Sequence, residues 1–241
     1  MSSFQNINDI TNLAGQSLQQ NGVFTMEDFF DKKLCGSISD KVINLIDNKI
    51  DKNVTKEYDN YWVLDPDDEN RGSNWMDAQD KSVINLRGNH GMTTYDTGFC
   101  DIFNPHLLFK ELDELKNHEF FRTVSKMCNK NPDDNYCNIY YNNAITDTRG
   151  WHKDAPMIKF FVYLTDVSSE EYGPYCYLPK SHLSDYQIKK LEDYPHDESD
   201  IIKFIAPKGT LIGSYQHGFH RGLPQVGNKK RVLFVYKIYL N

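Results

Sequence analysis

The chain lacks a long apolar run, a paired-cysteine motif and an excess of positive charge, and each absence removes a class of function. The longest apolar stretches, such as 160–164, fall far short of the roughly 20 residues that a membrane-crossing helix needs. The five cysteines (Cys35, Cys100, Cys128, Cys137 and Cys176) are odd in number and widely spread, with no C-x-x-C pair. They fit neither a disulfide framework nor a zinc site, and the expectation is reduced thiols in a cytoplasmic protein. Residues 1–6 lack a basic start followed by an apolar run, so no secretory signal is expected. A formal net charge of -7 argues against general binding of nucleic acid or anionic membranes. No internal repeat or low-complexity segment stands out.

What is present is core-forming material. Hydrophobic residues make up 39% and aromatics 13% of the 241 residues, ample for a folded chain of one large or two small domains. The first half reads as helical. Residues 1–21 suit a short surface helix, and 22–25 a short strand. Asp31 then stands as N-cap before Leu34, Ile38, Val42, Leu45 and Ile46, an apolar stripe at three- and four-residue spacing. Residues 61–64 and 82–86 read as strands, separated by an acidic, turn-rich loop at 65–70. A long helix is expected after Pro105, carrying Leu108, Leu112 and Leu115 and then Phe121, Val124 and Cys128, with a potential break near Asn117 and His118. From 135 the texture changes to short aromatic or β-branched runs at 136–141, 157–164, 175–178, 201–205, 209–214 and 231–239. Strands at this spacing suggest an antiparallel sandwich or barrel, backed on one face by the N-terminal helices. The acidic insert 192–200 reads as a solvated loop.

One motif among the strands carries chemistry. Side chains two apart on an extended segment share a face, so Trp151-His152-Lys153-Asp154 aims an imidazole and a carboxylate at one point. A second histidine returned by later strands, from Gly218-Phe219-His220-Arg221-Gly222-Leu223-Pro224, would complete a two-histidine, one-carboxylate set. Such a set occupies one face of a metal and leaves the opposite positions open, as a non-haem Fe(II) centre requires. Chance often supplies an H-x-D pair, so its company decides its weight.

That company resembles the phytanoyl-CoA dioxygenase-like (PhyH) branch of the Fe(II)/2-oxoglutarate-dependent oxygenases. Trp151-His152-Lys153-Asp154 is similar to the family's W-H-x-D, and the run 158–167, ending Tyr163-Leu164-Thr165-Asp166-Val167, to the strand that follows it. Gly173-Pro174 through Pro179-Lys180-Ser181-His182 resembles G-P-x-x-x-x-P-G-S-H, with Lys180 where the family has glycine. Gly209-Thr210-Leu211, then His220-Arg221-Gly222, then Arg231, resemble the G-D-L block, distal histidine and oxo-acid-binding arginine. The likeness runs from about residue 136 to 241 and is weak over 51–104.

The resemblance implies a mostly β fold with flanking helices (α+β): a double-stranded β-helix, or cupin-like jelly-roll barrel, backed by N-terminal helices. It implies a single domain over 1–241, with 1–134 as helical support and substrate-facing loops and 135–241 as the main part of the core. Iron is then expected on His152, Asp154 and His220. His217 competes for the third place, but the family's spacing from Gly209 favours His220 and leaves His217 at the surface or behind the ligands. Arg231 shares a strand face with Leu233 and Val235, and is expected to point inward and pair with the distal carboxylate of 2-oxoglutarate. Lys229 and Lys230 are read as surface cations. Asn138, Tyr140 and Asn142 share one strand face, and Tyr140 is the residue chosen to hydrogen-bond the oxo-acid. His182 is read as structural, and His90, His106, His118 and His196 as surface or packing residues.

The implied chemistry uses Fe(II) as its cofactor, consumes 2-oxoglutarate and O2, and releases succinate and CO2 while an aliphatic C–H bond is hydroxylated. Related halogenases have Gly or Ala where Asp154 stands, so the aspartate favours hydroxylation; desaturation, epoxidation and ring formation share the triad. The substrate is expected to be a small metabolite, free or carrier-bound; Trp62, Trp75, Tyr95 and Arg87 are candidates for its walls and equally for ordinary packing. The acidic net charge weighs mildly against a highly anionic ligand. Two rivals stand beside this reading: a zinc- or manganese-dependent barrel hydrolase or isomerase, and a non-catalytic binding protein.

Overall fold

The computed structural model describes residues 7–51, 56–64, 80–86 and 98–240. Helix α1 (Ile7–Asn21) and strand β1 (Val23–Met26) open the described chain. Helix α2 (Lys32–Asn48) follows, its first turn closed by the Leu34 N–H donating to Asp31 Oδ1 at 2.7 Å, the cap that the sequence signals. Strands β2 (Lys56–Glu57), β3 (Tyr61–Leu64), β4 (Ser82–Leu86) and β5 (Cys100–Phe103) lead to α3 (Leu112–Lys116) and α4 (Glu119–Met127). The long helix expected after Pro105 is thus a short 3-10 turn and two separate helices. His118 breaks it: its backbone is extended (ψ 136), its Nδ1 accepts from Phe120 N at 3.3 Å, and its ring packs on Phe29 and Phe30. The remaining strands are β6 (Tyr136–Asn143), β7 (Met157–Tyr163), β8 (Tyr175–Tyr177), β9 (Ile202–Lys203), β10 (Leu211–Tyr215), β11 (His220–Gly222) and β12 (Lys230–Tyr239).

Among the described residues these strands make two sheets. The larger has nine strands in the order β1-β10-β7-β12-β6-β5-β4-β3-β2, and the smaller has three, β11-β8-β9. The larger sheet is open, with β1 and β2 at its edges, and the described strands do not close into a barrel. It is also mixed rather than wholly antiparallel, because β3 and β4 run parallel. A parallel pair needs a connection of a dozen or more residues, and the chain between Leu64 and Ser82 has that length.

Period-two alternation sorts the central strands between two cores. Ile158, Phe160 and Val162 of β7 and Val232, Phe234, Tyr236 and Ile238 of β12 face the helices. There they meet Ala14 and Leu18 of α1, Ile38, Val42 and Ile46 of α2, and Phe120, Phe121 and Val124 of α4. The intervening residues Phe161, Tyr163, Leu233 and Val235 face the other way, onto Tyr175 and Tyr177 of the small sheet. The helices therefore back one face of the large sheet and the small sheet covers part of the other. Between the sheets the strand pattern exposes polar groups to a common space.

The five cysteines are free thiols. No helix of the described residues is long and apolar enough to cross a membrane.

Candidate metal centre

The segment between β6 and β7 carries His152 and Asp154, and backbone hydrogen bonds fix it on both sides. His152 and His220 exchange N–H···O bonds, each 3.1 Å, so the segment adds to the small sheet beside β11. The Asp154 N–H donates to Gln216 O at 2.8 Å, and the Gln216 N–H to Met157 O at 2.9 Å. Residues that exchange both backbone bonds in an antiparallel pair project side chains on the same side. The two imidazoles accordingly stand with ring centroids 4.3 Å apart, and Asp154, two residues on, aims at the same point. One nitrogen from each histidine and a carboxylate oxygen of Asp154 all lie within 4.8 Å of one another.

The polar surroundings select the protonation states that suit a cation. His152 Nδ1 lies 2.7 Å from Gly150 O, and His220 Nδ1 lies 3.0 Å from Gly218 O. A carbonyl can only accept, so each Nδ1 carries the proton and each neutral ring presents its lone pair at Nε2. Burial, reinforced by the neighbouring His220, pushes the His152 imidazole down to about 3. Burial also lowers His220. For Asp154 burial acts in the opposite sense, but the Lys159 ammonium beside Oδ2 favours the ionised form and holds the carboxyl below the usual carboxylate range. The result is two lone pairs and a carboxylate facing one point: His152 Nε2 is 3.8 Å from Asp154 Oδ1, and His220 Nε2 is 3.6 Å from Oδ2. Neutral imidazoles and a carboxylate, each fixed from behind by a hydrogen bond, form a donor set suited to a divalent first-row metal.

The three groups line a cavity of about 460 Å³ between the sheets. Arg231 reaches it from β12 on the face shared with Leu233 and is only 5% exposed. Gly222, two residues beyond His220 on β11, keeps the space beside that guanidinium clear: a Cβ there would sit 3.3 Å from Arg231 Nη2. On β6, Asn142 stands opposite Arg231 and Tyr140 opposite Leu233, and both line the cavity. The Tyr140 ring meets Phe99 edge-on at 5.0 Å. Asn142 is the more buried of the pair, and its Oδ1 has no hydrogen-bond partner among the described residues. Beneath the metal-facing groups, Gln216 Nε2 contacts Ser214 Oγ at 2.7 Å and Tyr175 Oη at 3.2 Å.

His152, Asp154, His220, Arg231 and Tyr140 thus meet in one cavity. His217 lies elsewhere, with its ring on Tyr215 and His182, and of the two competing histidines only His220 joins the triad. His182 is held by Gln19 O at the end of α1. Lys230 pairs with Asp47, and Lys229 with Glu171. Trp62, a candidate for the cavity wall or for packing, packs with Leu64, Val83 and Phe103. Trp75, Tyr95, Arg87, His90 and the acidic loop 65–70 lie outside the described residues. Sequence reasoning missed Lys159, whose ammonium is 2.8 Å from Asp154 Oδ2, and Arg149, whose Nη1 is 3.3 Å from Oδ1. Lys159 was detectable: it shares a strand face with Phe161 and Tyr163, and a lysine on a buried face calls for a partner.

No family model matches the sequence, and no curated protein matches it. Solved structures do match by shape. The non-heme alpha ketoglutarate dependent epimerase SnoN from nogalamycin biosynthesis superposes with a TM-score of 0.59 at 10% identity, covering 95% of this chain and 80% of that one. HygX from Streptomyces hygroscopicus, with nickel and 2-oxoglutarate bound, gives 0.59 at 11% identity, covering 93% and 85%. EvdO2 from Micromonospora carbonacea var. aurantiaca gives 0.57 at 13% identity, covering 93% and 89%. At such identities the likeness establishes a common fold, and the mostly β chain shares its architecture with these three structures.

Proposed function

We propose that this protein is a non-haem Fe(II)- and 2-oxoglutarate-dependent dioxygenase of the PhyH type, which hydroxylates an aliphatic C–H bond of a small metabolite in the cytoplasm. The observation that carries the reading is the convergence of two Nε2 lone pairs and the Asp154 carboxylate on one point of a cavity that also contains a buried arginine. His152, Asp154 and His220 would hold the metal. Arg231 would take the distal carboxylate of the oxo-acid, in the space that Gly222 leaves clear, with Tyr140 or the deeper Asn142 as a further hydrogen-bonding group. When bound, an Fe(II)·2-oxoglutarate centre supplies O2 activation coupled to loss of CO2 and formation of succinate. The protein's share is to orient the ligands through the Gly150 and Gly218 carbonyls, keep Asp154 ionised through Lys159, and line the cavity with Phe161, Tyr175 and Leu233 against bulk water.

The two facing sheets support reading the fold as a double-stranded β-helix and the chain as a single catalytic domain. A hydrolase or isomerase using zinc or manganese would need the triad but not Arg231 at that position. Epimerisation is a second reading, favoured by the fold shared with SnoN.

Anaerobic titration with Fe(II) and 2-oxoglutarate tests the proposal. A weak visible charge-transfer band should form, followed by succinate on admission of air; neither band nor succinate would sink it. With 18O2, a hydroxylated product gains one labelled oxygen, whereas an epimer keeps its mass.

A further inference from the structure

Among the described residues, the side chains that line the cavity are mostly cationic, whereas the chain as a whole is acidic. The chain is acidic, at -7, yet the described residues lining the cavity include four cationic side chains (Arg149, Lys159, Arg221 and Arg231) and one carboxylate, Asp154. Two of the four have work in the proposed centre. Lys159 is bound to Asp154 at 2.8 Å, and Arg231 lies deep on β12 beside Gly222. A divalent metal and a dianionic oxo-acid cancel each other's charge, so loading the centre does not alter the balance among these described side chains. Like charges crowded in a cavity of low dielectric repel strongly, and an anionic ligand offsets that cost.

Arg221 is the best placed to receive such a ligand. It follows His220 directly in the chain, is half-buried, and opens onto the cavity. Its contacts are to neutral acceptors at long range: Nη2 to Thr148 Oγ1 at 3.3 Å and Nε to Gly222 O at 3.4 Å. Thr148 and Arg149 line the same wall, and the Arg149 guanidinium lies 3.3 Å from Asp154. Arg221, Thr148 and Arg149 thus line the same cavity as the metal-facing triad.

We propose that the primary substrate carries an oxyanion, a carboxylate or a phosphate, which Arg221 binds at the wall of the cavity. This rests on the oxygenase reading for what then happens to the substrate, but the anion site itself is open to a separate test. The probe is inorganic sulfate, titrated calorimetrically under anaerobic conditions into protein loaded with Fe(II) and 2-oxoglutarate. Saturable binding that weakens with added chloride is expected. In Arg221→Gln the affinity should fall at least about tenfold, the loss of a charge-assisted hydrogen bond, while the charge-transfer band still forms. Arg221→Lys, which keeps the charge, should stay within a few-fold of the natural protein. Repeating the titration with acetate separates the two chemistries: tighter acetate points to a carboxylate substrate, tighter sulfate to a phosphate or sulfate ester.

Three results would overturn the proposal: no saturable heat at tens of millimolar sulfate, equal affinity in Arg221→Gln, or loss of the charge-transfer band as sulfate is added. The last would assign the surplus cations to the oxo-acid. Should the band never form, the oxygenase reading fails, and sulfate titration of the metal-free protein and of Arg221→Gln still decides for or against the anion site.

Discussion

Metal binding at the triad should be visible as folding stability, because the ligands come from distant parts of the chain and meet only in the folded protein. A ligand present at a hundred times its dissociation constant stabilises the native state by about 2.7 kcal/mol. For a domain of this size each kcal/mol raises Tm by about 2–4 °C, so saturating Mn(II), a redox-stable stand-in for Fe(II), should add about 5–10 °C. In His220→Ala one of three protein ligands is gone. A loss of roughly 100-fold in affinity, the upper end of what removing even an outer hydrogen-bond partner costs, brings the same metal concentration down to the dissociation constant. The stabilisation then falls to about 0.4 kcal/mol, on the order of 1 °C. His217→Ala is the matched control, since its ring lies on Tyr215 and His182 rather than at the triad, and it should keep the full shift. The assay is scanning calorimetry, with each variant compared against its own metal-free form because His220 is itself buried. A full shift in His220→Ala, or its loss in His217→Ala, would refute the assignment of the third ligand.

Arg231→Gln should raise the 2-oxoglutarate concentration that half-saturates the charge-transfer band by about 10- to 100-fold, the worth of a bidentate charge-assisted pair, with metal affinity unchanged; an unaltered titration would remove Arg231 from the oxo-acid. Two positive-φ positions should respond with opposite signs. Lys180 is exposed at φ 65, where the left-handed region costs a side chain about 1–2 kcal/mol, so Lys180→Gly should raise stability by about 1 kcal/mol in urea denaturation. Gly209 has φ 88, and an added Cβ would lie 2.5 Å from Phe30 O, so Gly209→Ala should lose at least about 2 kcal/mol; a stable Gly209→Ala protein would mean that the turn relaxes freely. Asp31→Ala removes the acceptor for Leu34 N and should cost about 1 kcal/mol in the same experiment.

Much of this was legible before any coordinates, for reasons that particular residues make plain. Alternation along 157–163 and 230–239 announces strands with two different faces, and β7 and β12 follow it. Spacing around His152 and Asp154 placed two groups on one side of an extended segment, and Arg231 was expected inward with Leu233 and Val235, which is where it lies. Lys180, at the place where related sequences have glycine, has the left-handed backbone that such a glycine would adopt. The break expected near Asn117 and His118 is found there, where the His118 cap and aromatic contacts interrupt the backbone, whereas the separate 3-10 turn at Pro105–Leu107 was not anticipated. Trp62 was left between cavity wall and packing because one extended segment does not reveal which of its faces the rest of the protein will cover.

The sequence by itself determined the donor types and their local spacing, since dihedral preference and side-chain period act within a few residues. Only the tertiary structure decided that His220 rather than His217 faces His152. That choice depends on strand register, and a slip of one residue would turn every side chain of β11 to the opposite face. The same register brings Arg221 and Gly222 to the cavity wall and sets Lys159 against Asp154. Charge summed along the chain pointed away from anions. Folding gathers Arg149, Lys159, Arg221 and Arg231 at one cavity, and a site responds to the groups within a Debye length or so of its walls rather than to the sum along the chain.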